Sequence, residues 1–201
     1  MGGLVVAPAR VTRRTLPPVP AADDVVPPDS YCAAAPGHPF HGPYHDDEYG
    51  FPTDDETVLF ERLVLEINQA GLSWLTILKK REGFRAAYDG FDVDRVAAYG
   101  EADRARLLAD PSIIRNRLKV DAAIHNAAVV QDLRRSHGGF HAWLAAHHPL
   151  DKADWVKLFK RTFRFTGGEI TGELLMSTGW LEGAHHPACP VHTRLLHATP
   201  P

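Results

Sequence analysis

Cys32 and His45 lie thirteen positions apart, and near the other end of the chain His185 precedes Cys189 by four. Two thiolates and two imidazoles suit a tetrahedral zinc ion, and a shell filled by protein leaves no position for water. Such a site supports the fold and not a reaction. Spacing alone leaves a second reading open. Twelve histidines in 201 residues produce such pairs by chance. His186 competes with His185 for the fourth position, and His41, His45, His185, His186 and His192 also fit solvated loops. A Cys32–Cys189 disulfide is disfavoured in a reducing compartment, so each thiol outside a metal site would be simply buried or free.

The stretch Glu61–Arg81, "ERLVLEINQAGLSWLTILKKR", carries a different chemistry. With Thr53 as cap and Glu56 closing a capping box, the apolar stripe of its first helix runs Leu59, Leu63, Ile67. Glu66, seven residues after Leu59, falls on the same side. A carboxylate there is either an exposed residue one position out of register or a group that meets something cationic. A third set of residues follows Ile113-Ile114, where Arg115, Arg117 and Lys119 surround the start of another helix. A short helix–hairpin–helix presents backbone N–H groups and a helix N-terminus to a phosphate, with the cations neutralising its neighbours; the alternative is a solvated cationic helix start. Lys79, Lys80, Arg81, Lys157, Lys160, Arg161 and Arg164 are further cations that could share that face.

Helices must position these groups. The apolar period predicts them over Asp54–Ala70, Leu72–Tyr88, Asp92–Ala98, Glu101–Ala109, Arg117–Ser136, Gly139–His147, Asp151–Thr162 and Glu169–Thr178, the last stopped by Gly179. No run alternates as a strand, so the expected fold class is an all-α bundle over residues 31–201. Residues 1–30 are proline-rich without either period and read as a flexible extension. An apolar content of 44% supports one sizeable core, and a net charge of −3 argues against non-specific coating of nucleic acid while allowing a local basic face. No apolar run of about 18 residues and no signal pattern is present, so a soluble cytoplasmic monomer without a membrane partner is expected.

"YHDDEYGFP" (44–52) followed by "LFERLVLEINQAGLSWLTILKKREGFR" (59–85), with "IIRNRLKVDAAIHNA", "FRFTGGEI" and the C-terminal His-Cys segment, resembles the DNA-3-methyladenine glycosylase I family of the helix-hairpin-helix glycosylases. The resemblance covers about residues 31–190. It implies a structural zinc held by Cys32, His45, His185 and Cys189, joining the two ends of a helical bundle. It also implies a pocket in which Tyr44, Glu66 and Trp74 receive a methylated purine flipped out of double-stranded DNA, with Tyr44 and Glu66 carrying the chemistry and Trp74 and Tyr49 contacting the base. Leu72 becomes the plug for the vacated stack, and Arg115, Arg117 and Lys119 the phosphate contacts. The activity implied is monofunctional hydrolysis of the N-glycosidic bond, because the resemblance supplies no lysine nucleophile.

The sequence departs from the family pattern at several points. Ile67 follows Glu66 where glycine is usual and is expected to narrow the pocket. Cys32-Ala33-Ala34 replaces a Cys-Gly-Trp, so an aromatic is expected to be missing from that side; Tyr49 replaces a tryptophan, and Ser112 and Leu118 stand at hairpin positions where glycines are usual. These departures keep a second reading in play, a zinc-stabilised relative that binds damaged DNA with altered or lost catalysis. A zinc hydrolase is excluded by a closed ligand shell.

Overall fold

Ten consecutive residues of helix α3 (Glu56–Gln69), Leu59 to Asn68, are buried, and the molecule is arranged around them. The computed structural model describes residues 25–198, and no strand occurs among the described residues. Helices α4 (Trp74–Ala87), α7 (Arg117–His137), α8 (Phe140–His147) and α10 (Gly168–Ser177) pack directly on α3. Around them lie α5 (Val93–Ala97), α6 (Glu101–Ala109) and α9 (Lys152–Thr162). Three short helices frame one end: α1 (Tyr31–Ala34), α2 (His41–Asp47) and α11 (Pro190–Leu195). All eight expected helices are present with ends shifted by at most two residues. α1, α2, α11 and a 3-10 turn at Asp89–Phe91 were too short to leave a periodic signal.

The entry to α3 differs from the expected capping box. Asp55 is the cap, its carboxylate accepting from Thr57 N at 2.8 Å and Val58 N at 3.3 Å, while Thr53 Oγ1 accepts from Asp55 N. Glu56 is drawn elsewhere. It accepts from Phe140 N at 3.1 Å and pairs with Arg134, supplying at the start of α8 the acceptor that its cap residue, Gly139, lacks.

Because α3 is central, it is buried on two stripes. Leu59, Leu63 and Ile67 enter the main core, whereas Arg62, Glu66 and Gln69, spaced four and three apart, form a polar stripe beside them. Glu66, seven residues after Leu59, lies within about 20° of it around the helix axis, where the apolar stripe borders the polar one. Ile67 is fully buried in the core and does not line the cleft described below, so it does not narrow it.

The close approach of the α6–α7 hairpin is made possible by α4. A Cβ at Gly83 would lie 2.7 Å from Ser112 O, so only glycine there lets the hairpin settle. Of the proline-rich start, residues 1–24 lie outside the described residues. Val26 packs against Cys32, Cys189 and Val191. None of the described helices is long and apolar enough to cross a membrane.

Candidate functional site

Each of two neighbouring sites takes one residue from two adjacent pairs on the short helices. On α1, Tyr31 and Cys32 are consecutive; on α2, Tyr44 and His45 are. Successive helical residues diverge by about 100°, so the tyrosines turn to a cleft and the Cys and His to a cluster behind it.

The cluster joins Cys32, His45, His185 and Cys189, all buried, with their donor atoms within 4.8 Å of one another. Cys32 Sγ lies 3.6 Å from His185 Nδ1. Cys189 Sγ lies 3.7 Å from both His45 Nε2 and His185 Nδ1. A tetrahedron built on metal–sulfur bonds of about 2.3 Å and metal–nitrogen bonds of about 2.0–2.1 Å has sulfur–nitrogen edges of about 3.6 Å, so the donors fit one metal ion. The outer contacts also suit ligation. His185 Nε2 faces Tyr49 O at 2.8 Å, His45 Nδ1 faces Asp46 Oδ1 at 2.7 Å, and His186 N approaches Cys32 Sγ at 3.4 Å. Such partners orient metal-bound imidazoles. His186 turns its ring to Ala188 N instead of entering the set. Gly50, with φ +86°, allows the chain to pass Ala184, which a Cβ would meet at 2.8 Å.

The cleft has a volume of about 410 Å³ and is lined by Tyr31, Tyr44, Tyr49, Glu66, Gln69, Trp74, Glu169 and Glu173. Four expected residues thus meet: Tyr44, Tyr49, Glu66 and Trp74. Tyr31 supplies an aromatic from the position before Cys32, where the sequence reading found none after it. Tyr44 and Trp74 rings stand 5.2 Å apart at 55°. The Tyr44 hydroxyl and the Trp74 indole N–H are buried without hydrogen-bond partners; Ser177, near Tyr44, gives its proton to Leu174 O. Unpaired buried donors are uncommon and point to a missing acceptor.

Glu66 is 3% exposed. Burial, and next the charge of Glu173, push its carboxyl up to about 8, against the pull of Arg62. Arg62 stacks over the Tyr44 ring at 4.5 Å and pairs with Glu48. Burial also pushes Tyr31, Tyr44 and Tyr49 well above the usual phenol range, keeping them neutral donors. Beneath the cleft Arg81 takes Glu48 in a bidentate pair at 2.7 and 2.8 Å and Glu61 at 2.8 Å, and Arg85 takes Glu61 at 2.9 Å. Arg81 is therefore committed to the packing of α2, α3 and α4 and is not a free surface cation.

The residues expected at DNA divide. Leu72 stands 39% exposed at the tip of the α3–α4 turn, where Gly71 has φ +80°. Arg115 and Arg117 are exposed on the α6–α7 hairpin, Arg117 with only long contacts to Glu101 at 4.0 Å and Asp121 at 3.8 Å. Lys119 corrects the expectation. It is 5% exposed, and its Nζ donates to Asn68 O at 2.8 Å and Ala70 O at 2.7 Å. A cation at the carbonyl end of α3 is favoured by the helix dipole, so Lys119 holds the α3–α4 turn instead of reaching for phosphate. Tyr31, Gln69, Glu169 and Glu173 escaped the sequence reading. The four-residue spacing of Glu169 and Glu173 after the Gly-rich turn was the signal that could have marked the last two.

Residues 34–157 match the family model of the methyladenine glycosylases. An 89-residue stretch, 44% of this chain, is 52% identical to DNA-3-methyladenine glycosylase 1 of Escherichia coli (strain K12) and spans 48% of that relative, about half its length. The DNA-3-methyladenine glycosylase of Haemophilus influenzae is 33% identical over 169 residues, 75% of this chain and 91% of its own. Among solved structures, a variant of 3-methyladenine DNA glycosylase I in complex with 3-methyladenine superposes with TM-score 0.72 at 29% identity, covering 80% of this chain and 96% of that one. The Staphylococcus aureus enzyme superposes with TM-score 0.71 at 29% identity, covering 80% and 95%.

Proposed function

This chain belongs to the methyladenine glycosylase family, and on that premise we propose that it is a monofunctional DNA glycosylase. It takes 3-methyladenine, or a related alkylated purine, out of duplex DNA and hydrolyses its N-glycosidic bond. The observation that carries this is Glu66: a buried carboxylate with no paired cation among the described residues, facing the unpartnered Tyr44 hydroxyl and Trp74 N–H. A purine nucleoside alkylated at ring nitrogen N3 or N7 is a cation. It displaces the proton that burial keeps on Glu66, and the aromatic faces add about 0.5–2 kcal/mol of cation–π attraction. The charged base is already a good leaving group. The protein contributes extrusion, positioning and a negative charge near the developing oxocarbenium sugar, which water then attacks.

The surroundings support this reading. Leu72, raised on the Gly71 turn, suits the gap in the stack, and Arg115 and Arg117 suit the flanking phosphates. Among the described residues lining the cleft there is no lysine, and Lys119 Nζ is occupied by two carbonyls; both favour hydrolysis over strand cleavage. Zinc is the metal we assign to Cys32, His45, His185 and Cys189, on the tetrahedral edge lengths and the soft donor set. Its role would be to hold α1, α2 and the C-terminal segment together, and with them Tyr31, Tyr44 and Tyr49.

The test is to incubate purified, zinc-loaded protein with alkylated duplex DNA and separate the released bases. Free 3-methyladenine is expected, with strands that break only after alkali. If the protein binds a duplex holding an abasic-site analogue but releases no methylated base, the damage-binding reading replaces this one.

A further inference from the structure

Glu173 makes no ion pair among the described residues, yet it stands on α10 across the cleft from the α3 stripe that carries Glu66. Its one hydrogen bond is to Tyr49, whose hydroxyl donates to Oε2 at 3.1 Å. Glu169, one turn earlier, lines the same cleft and has only Lys152, at 4.0 Å, for a partner. Like charges four residues apart on one helix face are unfavourable, and Arg62, the cation that acts on Glu66, is already paired with Glu48. The cleft therefore gathers acceptors and negative charge from two facing helices, while the donors Tyr44 O–H and Trp74 N–H lie buried and unused. A single buried carboxylate would suffice to hold a cation; a second, oriented by its own tyrosine, adds charge selectivity.

We propose that Glu173 is a second base-recognising carboxylate, held by Tyr49, that takes an N–H of the flipped base and selects cationic alkylated purines over neutral lesions. This rests on the glycosylase reading and deepens it. Glu173 also acts on Glu66, the group it faces together with Arg62 on α3, Tyr44 on α2, Tyr49 beyond it, Tyr31 on α1 and Glu169 on α10. Its charge helps keep the proton on Glu66, so the Glu66 carboxylate becomes charged only when a cation enters.

The experiment compares wild type, Glu173→Gln and Tyr49→Phe. It measures kcat/KM for 3-methyladenine and for hypoxanthine, a neutral lesion, in duplex DNA from pH 6 to 9, and the binding of free 3-methyladenine by tryptophan fluorescence. Glu173→Gln should lower kcat/KM for the cationic base about tenfold, the size of one charge-assisted hydrogen bond, and leave release of the neutral base within about twofold. The rising limb of the pH profile should move to lower pH, because Glu66 loses an anionic neighbour. Tyr49→Phe should lose less, and nothing further in the double variant. If wild type releases base and Glu173→Gln keeps both its selectivity and its pH profile, Glu173 is only part of the wall and this inference is overturned while the glycosylase reading stands. If wild type neither binds free base nor releases it, both are overturned.

Discussion

Replacing Glu66 by Gln should stabilise the protein at alkaline pH while impairing it. An unfolded glutamate ionises near 4.5, whereas Glu66 in the fold holds its proton to about 8. Between these values the native state binds one more proton than the unfolded chain, so stability falls as pH rises, by about 1.4 kcal/mol per unit. The penalty is absent below 4.5 and complete above 8. Carried across that window it reaches a ceiling of about 5 kcal/mol; the carboxylate faces an open cleft and recovers part by local relaxation, leaving about 2–3 kcal/mol. Glutamine keeps the volume and cannot ionise. In a chain of this size each kcal/mol moves the melting temperature by about 2–4 °C. Glu66→Gln should therefore match wild type at pH 5 and melt about 4–12 °C higher at pH 9, with equal metal content. Release of 3-methyladenine should fall at pH 9, where the wild-type carboxylate is charged. Thermal unfolding at pH 5, 7 and 9 decides the matter. A melting difference that does not change with pH, or a variant less stable at pH 9, refutes the argument that burial and Glu173 hold the proton on Glu66.

Cys189→Ser should lose the metal and lower the melting temperature, and because Tyr31 and Tyr44 adjoin two ligands and Tyr49 O faces a third, it should also weaken binding of free 3-methyladenine; metal analysis, melting and fluorescence titration check the three effects together. Lys119→Met leaves two carbonyls at the end of α3 without their charged donor, and should destabilise by about 1–3 kcal/mol and slow base release at least tenfold without changing the salt slope of DNA binding. The double change Arg115→Ala and Arg117→Ala should act the other way, flattening the log–log salt dependence of duplex binding by about 1.8, or about 0.9 per contact, with melting unchanged; binding measured from 50 to 300 mM salt shows which.

Helix positions could be read from the chain because their causes are local. The period of Leu59, Leu63 and Ile67 and the left-handed stop at Gly179 each depend on residues within a turn or two. Donor chemistry made Cys32, His45, His185 and Cys189 one candidate set among twelve histidines, and the resemblance to the glycosylase family singled it out. What a side chain faces across the fold could not be read this way. Lys119 reads as a free cation until α7 is laid against the end of α3, where two bare carbonyls claim it. Glu66 reads as an intrusion on an apolar stripe until α3 is seen buried on both sides, and Ile67 as an obstruction until it is found in the core. Tyr31 and Glu173 carry no mark of their role in their own neighbourhoods. They meet Glu66 because segments distant in sequence, Glu173 more than a hundred residues away, pack together, and the energy of that packing comes from buried surface shared by the whole chain, which no local pattern records.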